Sequence, residues 1–168
     1  RHEIVYNMKA LDAQSKDLAG VAYLDEAGHY KDGGVVDVPQ LDEVSLPFAY
    51  EPEEMAELQE RILYYETSRG CPFRCAYCLS CATAGVRYRS WQLVQQELQF
   101  FVNHNVRQVK FVDRTFNAKE QHCMPILQFI QALADSCRTN FHFEVAVDYL
   151  DDEVISLLQS LPKHRGQL

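Results

Sequence analysis

From residue 61 onward, short runs rich in β-branched and aromatic residues alternate with longer runs of helical apolar spacing, and this alternation restricts the fold most. Ile62-Leu63-Tyr64-Tyr65-Glu66-Thr67 predicts a first strand, Val106 to Val112 a second, and Phe141 to Val147 a third. Between them Val94, Leu98, Phe101 and Val102 share one helical face. Cys123, Ile126, Leu127, Ile130, Leu133, Ala134 and Cys137 form a second, longer helical stripe. Asp151-Asp152-Glu153 puts acids where they complement the positive end of a helix dipole, and Val154, Leu158 and Leu161 continue that helix. Strands separated by helices of this length pair in parallel as β/α units. Three such units in series fit either a β/α barrel or a doubly wound sheet.

The preceding part of the chain has another texture. Residues 1–20 have weak helical character, and Val21–Leu24 and His29–Lys31 flank Asp25-Glu26-Ala27-Gly28 as two strands of a hairpin. Pro39, Pro47 and Pro52 stand among acids over residues 37–60, which predicts an extended connector leading into a short helix. The charge shifts with the texture: residues 1–60 hold fourteen acidic and four basic residues, residues 61–168 ten and twelve. Two regions, 1–60 and 61–168, are therefore expected. A net charge of −8 argues against a nucleic-acid footprint over most of the chain. With 47% hydrophobic residues, nine Phe and nine Tyr, the 168 residues can form a packed core, which excludes a disordered chain. Neither a secretion signal nor an apolar run of spanning length is visible, so a cytoplasmic location and no membrane contact are expected. A chain opening on Arg1 is expected to be a piece of a longer protein.

Four of the six cysteines, Cys71, Cys75, Cys78 and Cys81, fall within eleven residues directly after the first predicted strand. Such crowding without a secretion signal points to metal or redox chemistry rather than a disulfide framework. Three thiolates spaced C-x3-C-x2-C can hold three irons of a cubane cluster and leave the fourth open to a chelating amino and carboxylate group. Two other readings remain: a zinc knuckle using all four cysteines, for which the spacing is compressed, and a closed four-cysteine cluster serving electron transfer alone. Cys123 and Cys137, on an apolar stripe, are expected to be small core residues. The Glu51–Glu60 acid run is expected to be a solvated face.

Cys71-Pro72-Phe73-Arg74-Cys75-Ala76-Tyr77-Cys78 resembles the signature of the radical S-adenosylmethionine superfamily. The flanking Tyr65-Glu66-Thr67-Ser68-Arg69-Gly70 and Leu79-Ser80, with Phe111-Val112-Asp113-Arg114-Thr115-Phe116-Asn117, resemble its cobalamin-binding-domain-containing members over roughly residues 20–165. The resemblance implies an α/β fold, a partial (β/α) barrel of the radical S-adenosylmethionine type, preceded by a connector with a small β-hairpin. Residues 1–60 would follow a cobalamin-binding domain, and 61–168 would be the N-terminal half of the core domain. It further implies a [4Fe-4S] cluster on Cys71, Cys75 and Cys78, with S-adenosylmethionine cleaved reductively to a 5′-deoxyadenosyl radical. A flavodoxin or ferredoxin-type reductant, a small-molecule substrate and cobalamin-dependent methyl transfer to an unactivated carbon would complete the reaction. Radical rearrangement, oxidation or methylthiolation is the alternative outcome of the same chemistry. A non-catalytic iron–sulfur carrier or zinc-binding module is the alternative from another class. The Asp-x-His-x-x-Gly segment of many cobalamin domains is not matched by Asp25 to His29, so cobalamin is implied only outside this chain.

Three residues are implied as S-adenosylmethionine contacts. Tyr77 occupies the aromatic position beside the adenine. Asp113 ends the second strand, where the family places groups near the methionine moiety, although its usual Gly-Gly-Glu segment is not found there. Glu144 shares a strand face with His142 and Ala146, opposite Phe141, Phe143, Val145 and Val147, and in a barrel that face points inward. A charge there is costly unless paired. Arg114 could pair with Asp113 or Glu144.

Overall fold

The computed structural model describes residues 20–25, 27–34, 40–44, 58–79, 85–162 and 165–167. Residues 1–19, most of the connector and Cys81 lie outside this set, and with them the expectations made there. The chain divides into two compact units, Arg1–Pro39 and Gln40–Leu168.

In the first unit the expected hairpin forms from β1 (Ala22–Leu24) and β2 (Tyr30–Asp32), antiparallel with Tyr23 opposite Lys31. Its turn is built by Asp25, whose Oδ1 accepts from Ala27 N at 3.0 Å and His29 N at 2.8 Å. Gly28 takes φ 79°, a left-handed conformation that costs glycine little.

The second unit is built on a parallel sheet in the order β3 (Ile62–Tyr65), β6 (Gln108–Phe111), β7 (Asn140–His142), β8 (Gly166–Gln167). Period-two alternation sorts its faces. Leu63, Tyr65, Val109, Phe111 and Phe141 are buried, and Phe111 stands at the centre with ring centroids 5.4 Å from Tyr65 and Phe116 and 4.9 Å from Phe143. Helices α1 (Trp91–Asn103), α2 (Glu120–Gln131) and α3 (Asp152–Ser160) supply Val94, Leu98, Phe101, Ile126, Leu127, Ile130 and Val154 to the same core. The opposite face carries Ile62 and Tyr64, both at least half exposed. Among the described residues the helices cover one side only, the arrangement that an arc of β/α barrel presents. The mixed α/β class, parallel sheet and hairpin agree with expectation.

Local chemistry explains the boundaries. Asp151 caps α3, accepting from Val154 N at 2.8 Å, and Asp152 and Glu153 follow in the first turn. At the end of α1 the Val106 N–H reaches Phe101 O and the Asn105 N–H reaches Val102 O, both at 3.1 Å, with Asn105 at φ 52°. This is a Schellman termination.

Three expectations need correction. Helix α2 stops at Gln131, so Leu133, Ala134 and Cys137 lie beyond it rather than on its stripe. There the buried Arg165 guanidinium donates to Leu133 O and Ala134 O, each at 2.7 Å, and holds the turn that follows the helix. The third strand is Asn140–His142 instead of Phe141–Val147. Past Phe143 the backbone is captured by other partners: Asn117 bonds both the N–H and C=O of Ala146 at 2.9 Å, and Phe116 N donates to Glu144 O. A fourth parallel strand, β8, joins the three expected. Two residues carry too little periodicity to announce a strand, and only the register with β7 (Phe141 opposite Gly166) creates it. Among the described residues no helix is long and apolar enough to cross a membrane.

Candidate functional site

The cysteine segment leaves the C-terminal end of β3, where α/β folds assemble their sites. Sequence patterning did not reveal its support, an antiparallel ribbon of β4 (Ser68–Gly70) and β5 (Val86–Tyr88). Ser68 pairs with Tyr88, Arg69 with Arg87, and Gly70 with Val86, so the ribbon gathers both legs of the loop. Gly70 has φ 111°, and a Cβ there would stand 2.2 Å from Gly85 O. Glycine is the residue that permits this approach.

Within the loop, Cys71, Cys75 and Cys78 are all half-buried, and Cys78 N donates to Cys75 O at 3.0 Å in a tight turn. Cys71 Sγ lies 3.9 Å from Thr115 Oγ1, on the turn after β6. Phe73 packs on Tyr149 with ring centroids 5.6 Å apart. Tyr77 is 92% exposed and Leu79 93%, so the loop offers large apolar side chains outward. The donor set suits a soft iron–sulfur group: three thiols in one eight-residue segment, neighboured by aromatic rings. Among the described residues no three His, Cys, Asp or Glu side chains are gathered in metal-holding geometry; the thiols share a segment without closing round a point.

The other implied contacts are distributed unequally. Glu144 is exposed, and its Oε1 lies 3.3 Å from Lys110 Nζ. The register sets Tyr64, Lys110, His142 and Gln167 side by side across the four strands on the uncovered face. Lys110 is a neighbour that sequence reasoning missed, although the alternation in Gln108-Val109-Lys110-Phe111 could have placed it there. Asp113, in contrast, is fully buried. Its Oδ1 accepts from Thr67 Oγ1 at 2.8 Å and Ser68 Oγ at 2.5 Å, and its Oδ2 from Thr67 N at 3.3 Å. Burial pushes its carboxyl above the usual carboxylate range, while the Ser68 and Thr67 hydrogen bonds pull the other way. Cys123 is buried in α2, and burial raises its thiol to about 11, so it is a core residue as expected.

His122, on α2, was not singled out from sequence. Its Nε2 lies 2.9 Å from Thr67 Oγ1, and its ring stands 4.7 Å from that of Tyr88. Burial first, and Lys119 second, lower its pKa from 6.5 to about 4. The unfolded chain therefore takes up a proton on His122 between those values while the folded chain does not, and stability falls as pH drops through that window. His122→Gln is expected to flatten this loss; denaturant midpoints of both proteins across the window provide the check. Equal slopes would show that His122 titrates normally.

No family model matches the chain. An uncharacterized methyltransferase of Pyrococcus horikoshii is 29% identical over 131 residues, 69% of this chain and 28% of that protein. The cobalamin-dependent S-adenosylmethionine radical enzyme OxsB, solved with aqua-cobalamin, superposes with a TM-score of 0.63 at 20% identity, over 94% of this chain and 24% of OxsB. The chain shares its fold with the corresponding part of OxsB. A second solved structure agrees: the radical S-adenosylmethionine methyltransferase TsrM of Kitasatospora setae, with cobalamin and a [4Fe-4S] cluster bound. It gives a TM-score of 0.55 at 19% identity, over 67% of this chain and 22% of TsrM. The chain thus spans about a quarter of the length of each protein it resembles.

Proposed function

We propose that the chain belongs to an enzyme that binds a [4Fe-4S] cluster through Cys71, Cys75 and Cys78 and cleaves S-adenosylmethionine reductively in order to methylate a carbon with the help of cobalamin. The observation that supports this most is the placement of a three-thiol loop at the C-terminal end of β3, in a fold shared with OxsB and TsrM. The methyl-transfer element is supported by the names of TsrM and the Pyrococcus relative. Cys71, Cys75 and Cys78 would hold such a cluster, which would supply the chemistry of one-electron reduction of the S-adenosylmethionine sulfonium.

The chain's own residues then bind and orient. The β4–β5 ribbon holds both legs of the loop, so the thiols enter the site from one side of the sheet end. Tyr77 presents an exposed ring with an apolar face for an adenine. Glu144, paired with Lys110 on the uncovered face, offers a carboxylate to an amino group. Cobalamin would be held by residues outside this chain. A flavodoxin or ferredoxin supplies the electron in a reducing cytoplasm, and a small molecule receives the methyl group.

Anaerobic reconstitution of the whole protein with iron and sulfide tests the reading. A brown protein that forms 5′-deoxyadenosine from S-adenosylmethionine under dithionite is the expected result. Persistent zinc without cluster absorbance would sink it. A cluster that forms without any cleavage would leave an electron carrier instead.

A further inference from the structure

Both legs of the cysteine loop are fastened by one buried network of hydrogen bonds at the base of the ribbon. Ser68 opens β4 and Tyr88 closes β5, and these two residues are direct partners in the ribbon. Ser68 Oγ donates to Asp113 at 2.5 Å, and the Tyr88 ring rests against His122. Thr67 joins the two halves: its hydroxyl is 2.8 Å from Asp113 Oδ1 and 2.9 Å from His122 Nε2. With its single proton directed to Asp113, the Thr67 oxygen accepts from His122 Nε2–H. Arg89, next after β5, donates its N–H to Thr67 O at 2.9 Å, which closes the ribbon at its base. Asp113, Thr67 and His122 are all buried, so no water competes for these bonds.

The geometry points to Asp113, Thr67 and His122 as positioning residues that fix where the Cys71–Cys78 loop leaves the sheet, Asp113 acting through Ser68 and Thr67 rather than by touching the cofactor. This inference rests on the cluster-binding reading of the loop. Its physical content is that β6 and α2, both anchored in the core, impose their position on a ribbon that has little core of its own. Arg69 and Gly70 of β4 are half-buried, and in β5 Arg87 is exposed while Val86 and Tyr88 are half-buried. Residues that orient metal ligands from behind typically change metal affinity by about 10- to 100-fold when altered.

Thr67→Val keeps the shape and removes the hydroxyl, while Thr67→Ser restores it. Two readouts are compared in the whole protein. In cluster-free protein, alkylation of Cys71 is followed peptide by peptide, with half-buried Cys137 as the internal reference. Thr67→Val is expected to speed Cys71 by roughly tenfold or more over Cys137, the population change from losing both hydrogen bonds of one buried hydroxyl, and Thr67→Ser to return it. In reconstituted protein, Thr67→Val is expected to lose iron to a chelator roughly 10- to 100-fold faster. An unchanged Cys71 rate in Thr67→Val overturns the inference. If Thr67→Val fails to fold, Ser68→Ala carries the same two readouts. A parent protein that never takes up a cluster, with Cys71 still exposed by Thr67→Val, would refute the cluster assignment and leave the positioning role standing.

Discussion

Alanine at Cys71, Cys75 or Cys78 is expected to reduce S-adenosylmethionine cleavage to background, each substitution alone being sufficient. In the proposed cubane each thiolate would hold one iron, and losing one would open a second iron where only one is meant to bind a chelating ligand. The fold should survive, because the three side chains are half-buried on a loop and lie outside the hydrophobic core. Cys123→Ala is the contrasting control. That thiol is fully buried in α2, so its removal costs stability on the order of 1 kcal/mol and leaves cluster content unchanged. Iron and sulfide per chain, with 5′-deoxyadenosine yield, separate the two kinds of site. A triple Cys71/Cys75/Cys78→Ala variant that still takes up a full cluster would contradict the ligand assignment.

Glu97→Ala should be the most destabilising single change outside the aromatic core, by about 3–5 kcal/mol. Glu97 is buried on α1 between two partners: Tyr65 Oη donates to its Oε2 at 2.5 Å, and the Arg89 guanidinium pairs with its Oε1. Arg89 also donates to Val44 O, and Ser90 N donates to Asp42 Oδ1 at 2.8 Å, so the segment around this buried ion pair also fastens residues 40–44 within the second unit. Burial and the Glu97 charge keep the Tyr65 phenol well above its ordinary pKa, so it remains a neutral donor. Removing the carboxylate strands a buried guanidinium and a buried hydroxyl, and the loss is a large share of a typical 5–15 kcal/mol total. Replacing Arg89, Glu97 and Tyr65 together by Met, Leu and Phe should recover most of it, since no charge is then left unpaired. Urea titration of the single and triple variants decides the point. A Glu97→Ala loss below about 1 kcal/mol would mean that the pair is solvated in solution.

The aromatic and apolar periodicity of Leu63/Tyr65, Val109/Phe111 and Phe141/Phe143 could be read directly, because each residue reports its own burial by alternation or helical spacing. The cysteine spacing was equally legible, since ligand number and softness belong to the residues themselves. What could not be read depends on partners distant in the chain. Nothing local in Asp113 announces that Thr67 and Ser68, some forty-five residues earlier, close round its carboxylate. Arg114 was open to pairing with Asp113 or Glu144, and the fold sets Lys110 beside Glu144, a partner that no local pattern names.

Residue type and local order therefore settled the α/β units, the acid-rich start of the helix after Asp151 and the identity of the candidate ligands. Tertiary packing settled the rest: the ribbon that carries the cysteine loop, the strand at Gly166–Gln167, and which acids are buried. The reason is physical. A periodic pattern is stored along one segment. A ribbon register or a buried hydrogen bond exists only when two segments meet, and its energy depends on the distance and desolvation that the folded chain creates.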